Sequence, residues 1–338
     1  IRDMNPYIQA QTTALVEGIR LLEVLITAPL GLYSDIKMMR ESLPFKESDD
    51  LTREQTTERR QAHARFTDDY HALAVDAIES LRATVATLAA VRDGDGPVLE
   101  ESWLRRAGLV LSRAERQAGS NVRARLAEKL TGVYVIVDPE ATQGRSVEFI
   151  TRATLEGGAK VIQLRDKLSD KGQQLEKARL LKSICDEFDA LFFMNDAADV
   201  ARAANAHGLH VGQTDLPVEQ ARQVLAPHQI LGRSNHEIEE LVESERMGAD
   251  HVAFGPIYHT DTKGVGRPPQ GIERLLLARD AAQTPLVAIG GITAENAAPV
   301  IEAGADAICV AAAVGSAPEP EAAAAKLVKV IEEVGGRI

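Results

Sequence analysis

Eight short apolar runs recur in the second half of the chain, each followed by an amphipathic helical stretch, within about 205 residues. The first run, VYVIVD at residues 133–138, is apolar up to its last residue, which is typical of a strand buried on both faces. Strands that alternate with helices predict parallel βαβ units, and eight near-equal units predict an α/β fold closed into a (β/α)8 TIM barrel. A doubly wound open sheet is the alternative. The other seven runs are KVIQLRDK, ALFFMND, GLHVGQTD, ILGRSNH, HVAFGP, PLVAIGG and AICVAA.

The chain before these runs has a different periodicity. Apolar side chains recur at helical spacing, as in Leu15, Ile19 and Leu22, and turn-forming stretches such as APLG and DGDGP interrupt the pattern. We predict an all-α bundle of four antiparallel helices as a domain of residues 1–128, followed by the barrel domain of residues 129–338. The helical region has no glycine-rich phosphate loop and no cluster of histidines or cysteines. We therefore assign it packing and oligomerisation, with a homo-oligomer formed through these helices as the expectation.

Charge and cysteine content restrict the class of partner. The chain has 338 residues and a formal net charge of −12, which argues against nucleic-acid binding because that function needs a basic surface. No run approaches the roughly 18 uninterrupted apolar residues of a membrane span. Cys185 and Cys309 lie in apolar stretches without a CxxC spacing, which predicts buried thiols in a reducing compartment rather than a zinc site. We expect a cytoplasmic protein that binds small molecules.

Polar side chains follow the predicted strands, at the barrel end where active sites lie. Arg165, Lys167 and Lys263 supply positive charge for a polyanion. Asp196 and Asp215 follow adjacent strands and supply two hard oxygen ligands, which suit Mg²⁺ with substrate phosphates completing its shell. Together these residues predict a site that stabilises the charge on a departing diphosphate with Mg²⁺ as the cofactor.

Two neutral side chains extend this site. Gln163 lies on the same side of its strand as Arg165 and Lys167, because side chains alternate with a period of two. Gln163 and Asn195 can donate hydrogen bonds to phosphate or to ring heteroatoms. The alternative for any single position is that polar residues accumulate wherever strands meet loops. Seven strand ends that suit one chemistry favour the functional interpretation.

Glycine-rich segments predict a second anion site and a lid. Gly290 and Gly291 let backbone N–H groups approach a ligand, and barrels bind phosphate after strands seven and eight. A tight turn is the alternative. The loop GPIYHTDTKGVGRPPQG, residues 255–271, carries Thr260, Thr262 and Lys263. We predict that it folds over a bound diphosphate and excludes water.

The motifs QLRDK, MND, HVGQTDL, LGRSNH, GPIYHTDTK, QG and IGGIT occur in the order and approximate spacing of one known family. Over residues 132–334 the chain resembles thiamine phosphate synthase. The resemblance implies a transferase that joins 4-amino-2-methyl-5-hydroxymethylpyrimidine diphosphate to 4-methyl-5-(2-phosphooxyethyl)thiazole and releases diphosphate. It also implies a dissociative step, in which the bond to diphosphate breaks before the thiazole nitrogen captures the pyrimidine cation.

The resemblance also implies a role for each matching residue. Ser234 lies beside the leaving diphosphate and, with Lys263 and Arg165, is expected to assist its departure. The family has a serine where this chain has Ala312, so thiazole phosphate is expected to bind more weakly if that hydroxyl matters. The implied contacts are Asp196 and Asp215 to Mg²⁺; Arg165, Lys167, Asn195 and Lys263 to diphosphate; Gln163 to the pyrimidine; and Thr260, Thr262 and the backbone of Gly291 to the thiazole phosphate.

Three other interpretations remain open on the sequence alone. A thiazole tautomerase-like barrel would use a histidine, such as His236 or His259, and no metal. An aldolase-like barrel would use Lys263 as a Schiff-base nucleophile, although such a lysine is usually desolvated. A non-catalytic barrel would act as a scaffold, with the helical domain as its interaction surface.

Overall fold

The computed structural model describes residues 5–26, 30–45, 70–91, 98–260 and 268–338. The chain divides into two compact units, Ile1–Val122 and Arg123–Ile338. The division falls within the longest helix of the described residues, Glu101–Glu128. None of the helices in the described ranges combines the length and the apolar character needed to cross a bilayer.

The described residues of the first unit form helices that share one apolar core. The first helix begins with Pro6, and the side chain of Asn5 accepts a hydrogen bond from the Tyr7 N–H, so a capping residue and a proline define its start. A side chain at Gly18 would lie 2.6 Å from Leu81 Cδ2, which explains why the helices that carry Gly18 and Leu81 can pack closely. The prediction of an N-terminal helical region is confirmed. The helices are α1 Pro6–Leu25, α2 Leu30–Glu41, α3 Tyr70–Ala89 and α4 Glu101–Glu128.

The second unit is a closed barrel of eight parallel strands in sequential order, so the predicted (β/α)8 fold is confirmed. The register pairs Tyr134 with Val161 at one seam and Gly132 with Ala307 where the last strand closes on the first. An open sheet would leave the outer side of each edge strand unpaired, whereas here each strand pairs with two others. The strands are β1 Gly132–Val137, β2 Val161–Leu164, β3 Leu191–Asn195, β4 Gly208–Val211, β5 Ile230–Asn235, β6 His251–Phe254, β7 Leu286–Ile289 and β8 Ala307–Val310.

Helices alternate with these strands and cover the outside of the barrel. Ser146 and Asp170 each accept a hydrogen bond from a backbone N–H of the following first turn and so define where two of the helices begin. A 3-10 turn, Pro139–Ala141, follows β1. The helices are α5 Val147–Glu156, α6 Lys171–Glu187, α7 Ala198–Ala203, α8 Val218–Val224, α9 Ile238–Arg246, α10 Gly271–Ala281, α11 Ala298–Glu302, α12 Ala312–Gly315 and α13 Pro320–Glu333.

The strands separate two apolar layers, because side chains alternate along each strand. One layer packs between the strands and the outer helices. The other fills the barrel interior and includes Tyr134, Phe193 and Cys309. Two rings in the interior need glycine partners: a side chain at Gly208 would overlap Phe193, and one at Gly232 would overlap His251. Both cysteines are buried, as predicted.

Candidate active site

The carboxyl ends of the strands form one rim of the barrel, since all eight strands are parallel. Gln163, near the end of β2, is 2% exposed, and its Nε2 donates to the Tyr134 hydroxyl on β1 at 2.7 Å. Burial raises the pKa of Tyr134 well above its ordinary value, so this phenol stays neutral. The buried amide is therefore fixed in orientation by a neighbouring strand.

Arg165 follows β2 and forms an ion pair with Asp138, which follows β1. The Asp138 side chain is buried, and its Oδ1 also accepts a hydrogen bond from the Glu140 N–H at 3.0 Å. One carboxylate thus caps the 3-10 turn and holds the guanidinium. The sequence-based prediction assigned Arg165 to diphosphate and gave Asp138 no role.

Asp166 lies between Arg165 and Lys167 and has a structural role. Its buried carboxylate accepts hydrogen bonds from the Leu168 and Ser169 N–H groups, both at 3.0 Å, and from Lys177 Nζ at 2.7 Å. Burial opposes ionisation, but the hydrogen bonds from Lys177 and Ser169 outweigh it and lower the pKa of Asp166 to about 2. This anion fixes the backbone of the loop after β2.

The two predicted metal ligands lie together on neighbouring loops. Asp196 follows β3, and its carboxylate contacts both Asp215, which follows β4, and Lys167. Burial and the Asp215 carboxylate raise the pKa of Asp196, although the Lys167 ammonium opposes the shift. Asp215 is oriented by the Gly212 N–H, which donates to its Oδ2 at 2.7 Å. Two carboxylates and a lysine therefore share one region of the rim.

Asp196 also has an unusual backbone conformation. Its φ of 59° lies in the left-handed region, which residues other than glycine rarely adopt. Its N–H donates to the carbonyl of His210 at 2.9 Å, so the strained turn remains tied to β4. The strain coincides with a predicted ligand, as strained residues tend to do at functional sites.

Ser234 lies near the end of β5 and is 9% exposed. Its Oγ is 2.9 Å from Nε2 of His210, a buried histidine on β4. Nδ1 of His210 is in turn 3.4 Å from Nε2 of His251 on β6. Ser234 was predicted to lie beside diphosphate, whereas the two histidines had no predicted role.

The glycines after β7 form a tight turn with positive φ values of 104° at Gly290 and 65° at Gly291. Gly290 accepts a hydrogen bond from the Tyr258 N–H at 2.9 Å, and a side chain at Gly291 would overlap the His259 carbonyl. The segment that leads from β6 to half-buried Thr260 therefore packs on the glycine turn. This proximity is compatible with a shared phosphate site.

The remaining predicted residues fall into two groups. Half-buried Asn195 is the last residue of β3, next to Asp196, and exposed Ala312 begins the four-residue helix α12 after β8. Thr262 and Lys263 lie outside the described residues, as does the central part of the predicted lid. Within the described ranges, no group of three or more His, Cys, Asp or Glu side chains is placed to hold a metal ion.

The sequence contained signals for the residues that were missed. Asp138 ends the first apolar run as Asp196 ends the third, so it belongs to the same set of polar strand ends. His210 and His251 occupy positions of apolar strands that face the barrel interior, where a histidine needs a polar partner. Each contact joins different strands, which hydrophobic periodicity alone does not place in register.

Comparison with known proteins points to one family. The profile of the family described as thiamine monophosphate synthase matches residues 133–314. The thiamine-phosphate synthase of Shouchella clausii is 41% identical over 201 residues, which cover 60% of this chain and 96% of that relative. The corresponding protein of Synechocystis sp. is 37% identical over 216 residues, which cover 64% of this chain and 61% of that relative.

A solved structure supports the same grouping. Thiamine phosphate pyrophosphorylase from Pyrococcus furiosus is 38% identical, with a TM-score of 0.58, and the alignment covers 62% of this chain and all of that protein. The shared sequence and the shared barrel thus agree with the polar rim described above. The chain belongs to the thiamine monophosphate synthase family, whose enzymes are transferases that form thiamine phosphate.

Proposed function

We propose that the barrel joins 4-amino-2-methyl-5-hydroxymethylpyrimidine diphosphate to 4-methyl-5-(2-phosphooxyethyl)thiazole, giving thiamine phosphate and diphosphate, and that it does so with Mg²⁺. The observation that carries this proposal is the contact of Asp196 with both Asp215 and Lys167 at the rim. The carboxylate pair can hold a metal cation and the lysine can contact phosphate oxygens, so this group suits a substrate that carries phosphate. The names of the relatives favour the same reaction.

The donor set fits a magnesium ion. Asp196 and Asp215 offer oxygen ligands, and burial together with the second carboxylate raises the pKa of Asp196, a shift that a bound cation would reverse. Mg²⁺ commonly uses one or two carboxylates and completes its octahedral shell with water and substrate phosphates. When bound, the ion would neutralise charge that develops on the departing diphosphate.

The side chains suggest a dissociative mechanism. Arg165 and Lys167 are oriented by carboxylates and supply positive charge beside the predicted diphosphate position. Gln163, anchored to Tyr134, would hold the pyrimidine ring, and Asn195 and Ser234 would add hydrogen bonds to the diphosphate. The carbon–oxygen bond to diphosphate would break first, and the thiazole nitrogen would then attack the resulting cation. These residues act by orienting groups and stabilising charge, so the reaction needs no protein nucleophile.

The thiazole phosphate would bind at the glycine turn after β7. A side chain at Gly291 would overlap the His259 carbonyl, so glycine lets the segment that leads to Thr260 pack against that turn. Thr262 is proposed to complete this contact and Lys263 to contact diphosphate, both from the family resemblance. A cytoplasmic location, the absence of nucleic-acid partners and oligomerisation through the helices remain predictions.

The decisive experiment measures diphosphate release and thiamine phosphate formation from the two purified substrates, with Mg²⁺ and with EDTA. We expect both products with Mg²⁺ and a loss of at least about a hundredfold with EDTA, because the leaving charge would lack its main counterion. Asp196→Asn should cause a similar loss. The matched control is Asp199→Asn, which removes an exposed carboxylate paired with Lys171.

Other outcomes would favour the alternatives. Metal-independent tautomerisation of a thiazole carboxylate phosphate would support the tautomerase interpretation. That interpretation names His236 as a candidate histidine. In the structure its Nδ1 is 2.7 Å from the Gly255 carbonyl, so this nitrogen donates a hydrogen bond at the base of the loop after β6. Folded protein with neither activity would support the scaffold interpretation.

A further inference from the structure

A column of three polar side chains lies in the barrel interior, along three adjacent strands beneath the rim. Ser234 Oγ lies 2.9 Å from His210 Nε2, and His210 Nδ1 lies 3.4 Å from His251 Nε2. The side chains come from β5, β4 and β6, and His210 and His251 are 7% and 0% exposed. The proposed reaction uses only Ser234 of the three, so the histidines require an explanation.

His251 sets the direction of the column, that is, which group donates in each of its two hydrogen bonds. Its Nδ1 is buried and has no hydrogen-bond partner among the described residues. A proton on Nδ1 would leave a buried donor unsatisfied, and an imidazolium would leave the same donor and a buried charge. Burial lowers the pKa of His251 to about 3, in agreement with a neutral ring. The ring therefore carries its proton on Nε2.

The positions of the other protons follow from which atoms must donate and which must accept. If His251 Nε2–H donates to His210 Nδ1, then Nδ1 of His210 has no proton of its own. Neutral His210 must then carry its proton on Nε2 and donate it to Ser234 Oγ. Ser234 already accepts one hydrogen bond, so its own hydroxyl proton is available for a ligand at the rim.

We propose that His210 and His251 are positioning residues that make Ser234 a hydrogen-bond donor to the leaving diphosphate. The inference rests on the proposed function for the identity of the ligand but not for the direction of the column. If His210 instead accepted from Ser234, the hydroxyl would present only lone pairs to an anion, and the contact would be repulsive. The direction of two hydrogen bonds thus decides whether Ser234 assists or opposes diphosphate binding.

The direction can be tested without measuring activity. Long-range ¹H–¹⁵N correlation spectra of the full chain at pH 7 distinguish protonated from unprotonated ring nitrogens, and the variants His210→Gln and His251→Gln assign the signals. We expect neutral rings with the proton on Nε2 in both histidines. A proton on Nδ1 of either histidine, or an imidazolium at either position, would overturn the proposal.

A double-mutant cycle tests the consequence for catalysis. Ser234→Ala should lower kcat on the order of 10- to 100-fold, the range for a hydrogen bond to a charged group. His210→Leu should lower kcat severalfold in the wild-type background but less than about twofold in the Ser234→Ala background, because the hydroxyl that it orients is already gone. His210→Gln, whose amide N–H can replace Nε2–H, should restore most of the loss.

The outcomes separate this inference from the proposed function. Additive losses, with His210→Leu equally harmful in both backgrounds, would reveal a purely structural histidine and contradict the proposal. Wild-type protein that forms no thiamine phosphate would refute the proposed function, while the spectra would still decide the direction of the column. If His210→Leu fails to fold, the spectra and His210→Gln carry the test.

Discussion

At the scale of single residues, the rim consists of charged side chains that are oriented by others. Asp138 orients Arg165, and the Gly212 N–H orients Asp215. Such supporting contacts matter because a side chain displaced by about 1 Å can cost a large part of a rate enhancement. The residues that the sequence did not reveal are mainly of this supporting kind.

Asp138→Asn is expected to weaken binding of the pyrimidine diphosphate. The amide keeps the size of the carboxylate, but it loses the charge that holds Arg165 and places an N–H₂ group near the guanidinium. We expect kcat/KM for that substrate to fall about tenfold, equivalent to about 1.4 kcal/mol, with KM for the thiazole phosphate unchanged. Steady-state kinetics with each substrate varied in turn provides the measurement.

The control for this variant is Glu187→Gln, which removes an exposed carboxylate paired with Arg152 on the outside of the barrel. Its kinetics should match those of the wild-type protein, because the pair lies outside the barrel and exposed ion pairs contribute little to stability. Equal kcat/KM values for Asp138→Asn and the wild-type protein would show that Arg165 does not depend on Asp138.

At the scale of elements, the strands were the most predictable part of the structure. Each apolar run of the sequence became a strand, because burial on both faces selects continuous apolar residues. The rim residues followed from this assignment, since they lie near the end of each strand or just after it. The pairs Gln163–Tyr134 and Ser234–His210 did not follow, because they depend on which inward positions become neighbours when the barrel closes.

Gly232→Ala tests how tightly β5 packs against β6. The new methyl group would overlap the His251 ring, and a closed barrel offers little room for the ring to move. We expect the free energy of unfolding to fall by about 1–3 kcal/mol, the range for overpacked cores. Urea unfolding followed by circular dichroism gives the value.

Gly172→Ala is the matched control within the barrel. Gly172 lies in α6, and a side chain there would meet only Asp170 Oδ1, at 3.3 Å. Alanine favours a helix over glycine by up to about 1 kcal/mol, so stability should be maintained or increased. A destabilisation by Gly172→Ala as large as that by Gly232→Ala would contradict the packing argument.

At the scale of the whole molecule, two neutral histidines, His251 buried and His207 partly buried, should make the barrel sensitive to acid. Burial lowers the pKa of His251 from 6.5 to about 3. Burial, with a further contribution from the charge of Lys182, lowers that of His207 to about 4. The Phe192 N–H donates to His207 Nδ1 at 2.9 Å, which also requires that nitrogen to be unprotonated. Both rings must therefore bind protons when the barrel unfolds in acid.

The direction of the pH effect follows from linkage. Below pH 6.5 the unfolded chain binds more protons at these histidines than the folded barrel does, so the free energy of unfolding decreases as the pH falls. The decrease should approach about 1.4 kcal/mol per pH unit for each ring, and it ends near pH 4 for His207 and pH 3 for His251.

Urea unfolding at several pH values between 7.5 and 4.5 should show this loss. The slope of the free energy of unfolding against pH should correspond to the uptake of about one proton per histidine. His207→Gln should reduce the slope by up to one proton without abolishing it. A barrel whose stability is constant over this range would mean that the histidines are protonated in the folded state. Asp166, with its pKa lowered to about 2 from 3.8, adds a further loss only below that window.

The fit between Gly232 and the His251 ring constrains the routes by which this protein can evolve. A larger residue at position 232 becomes acceptable only after position 251 has become smaller, so the order of the two substitutions matters. If His251 also sets the direction of the column to Ser234, the smaller residue would first reduce catalysis. Packing would then disfavour the substitution at position 232 as the first step, and catalysis would disfavour the substitution at position 251 as the first step. New activities on this scaffold would arise more readily from changes at the rim.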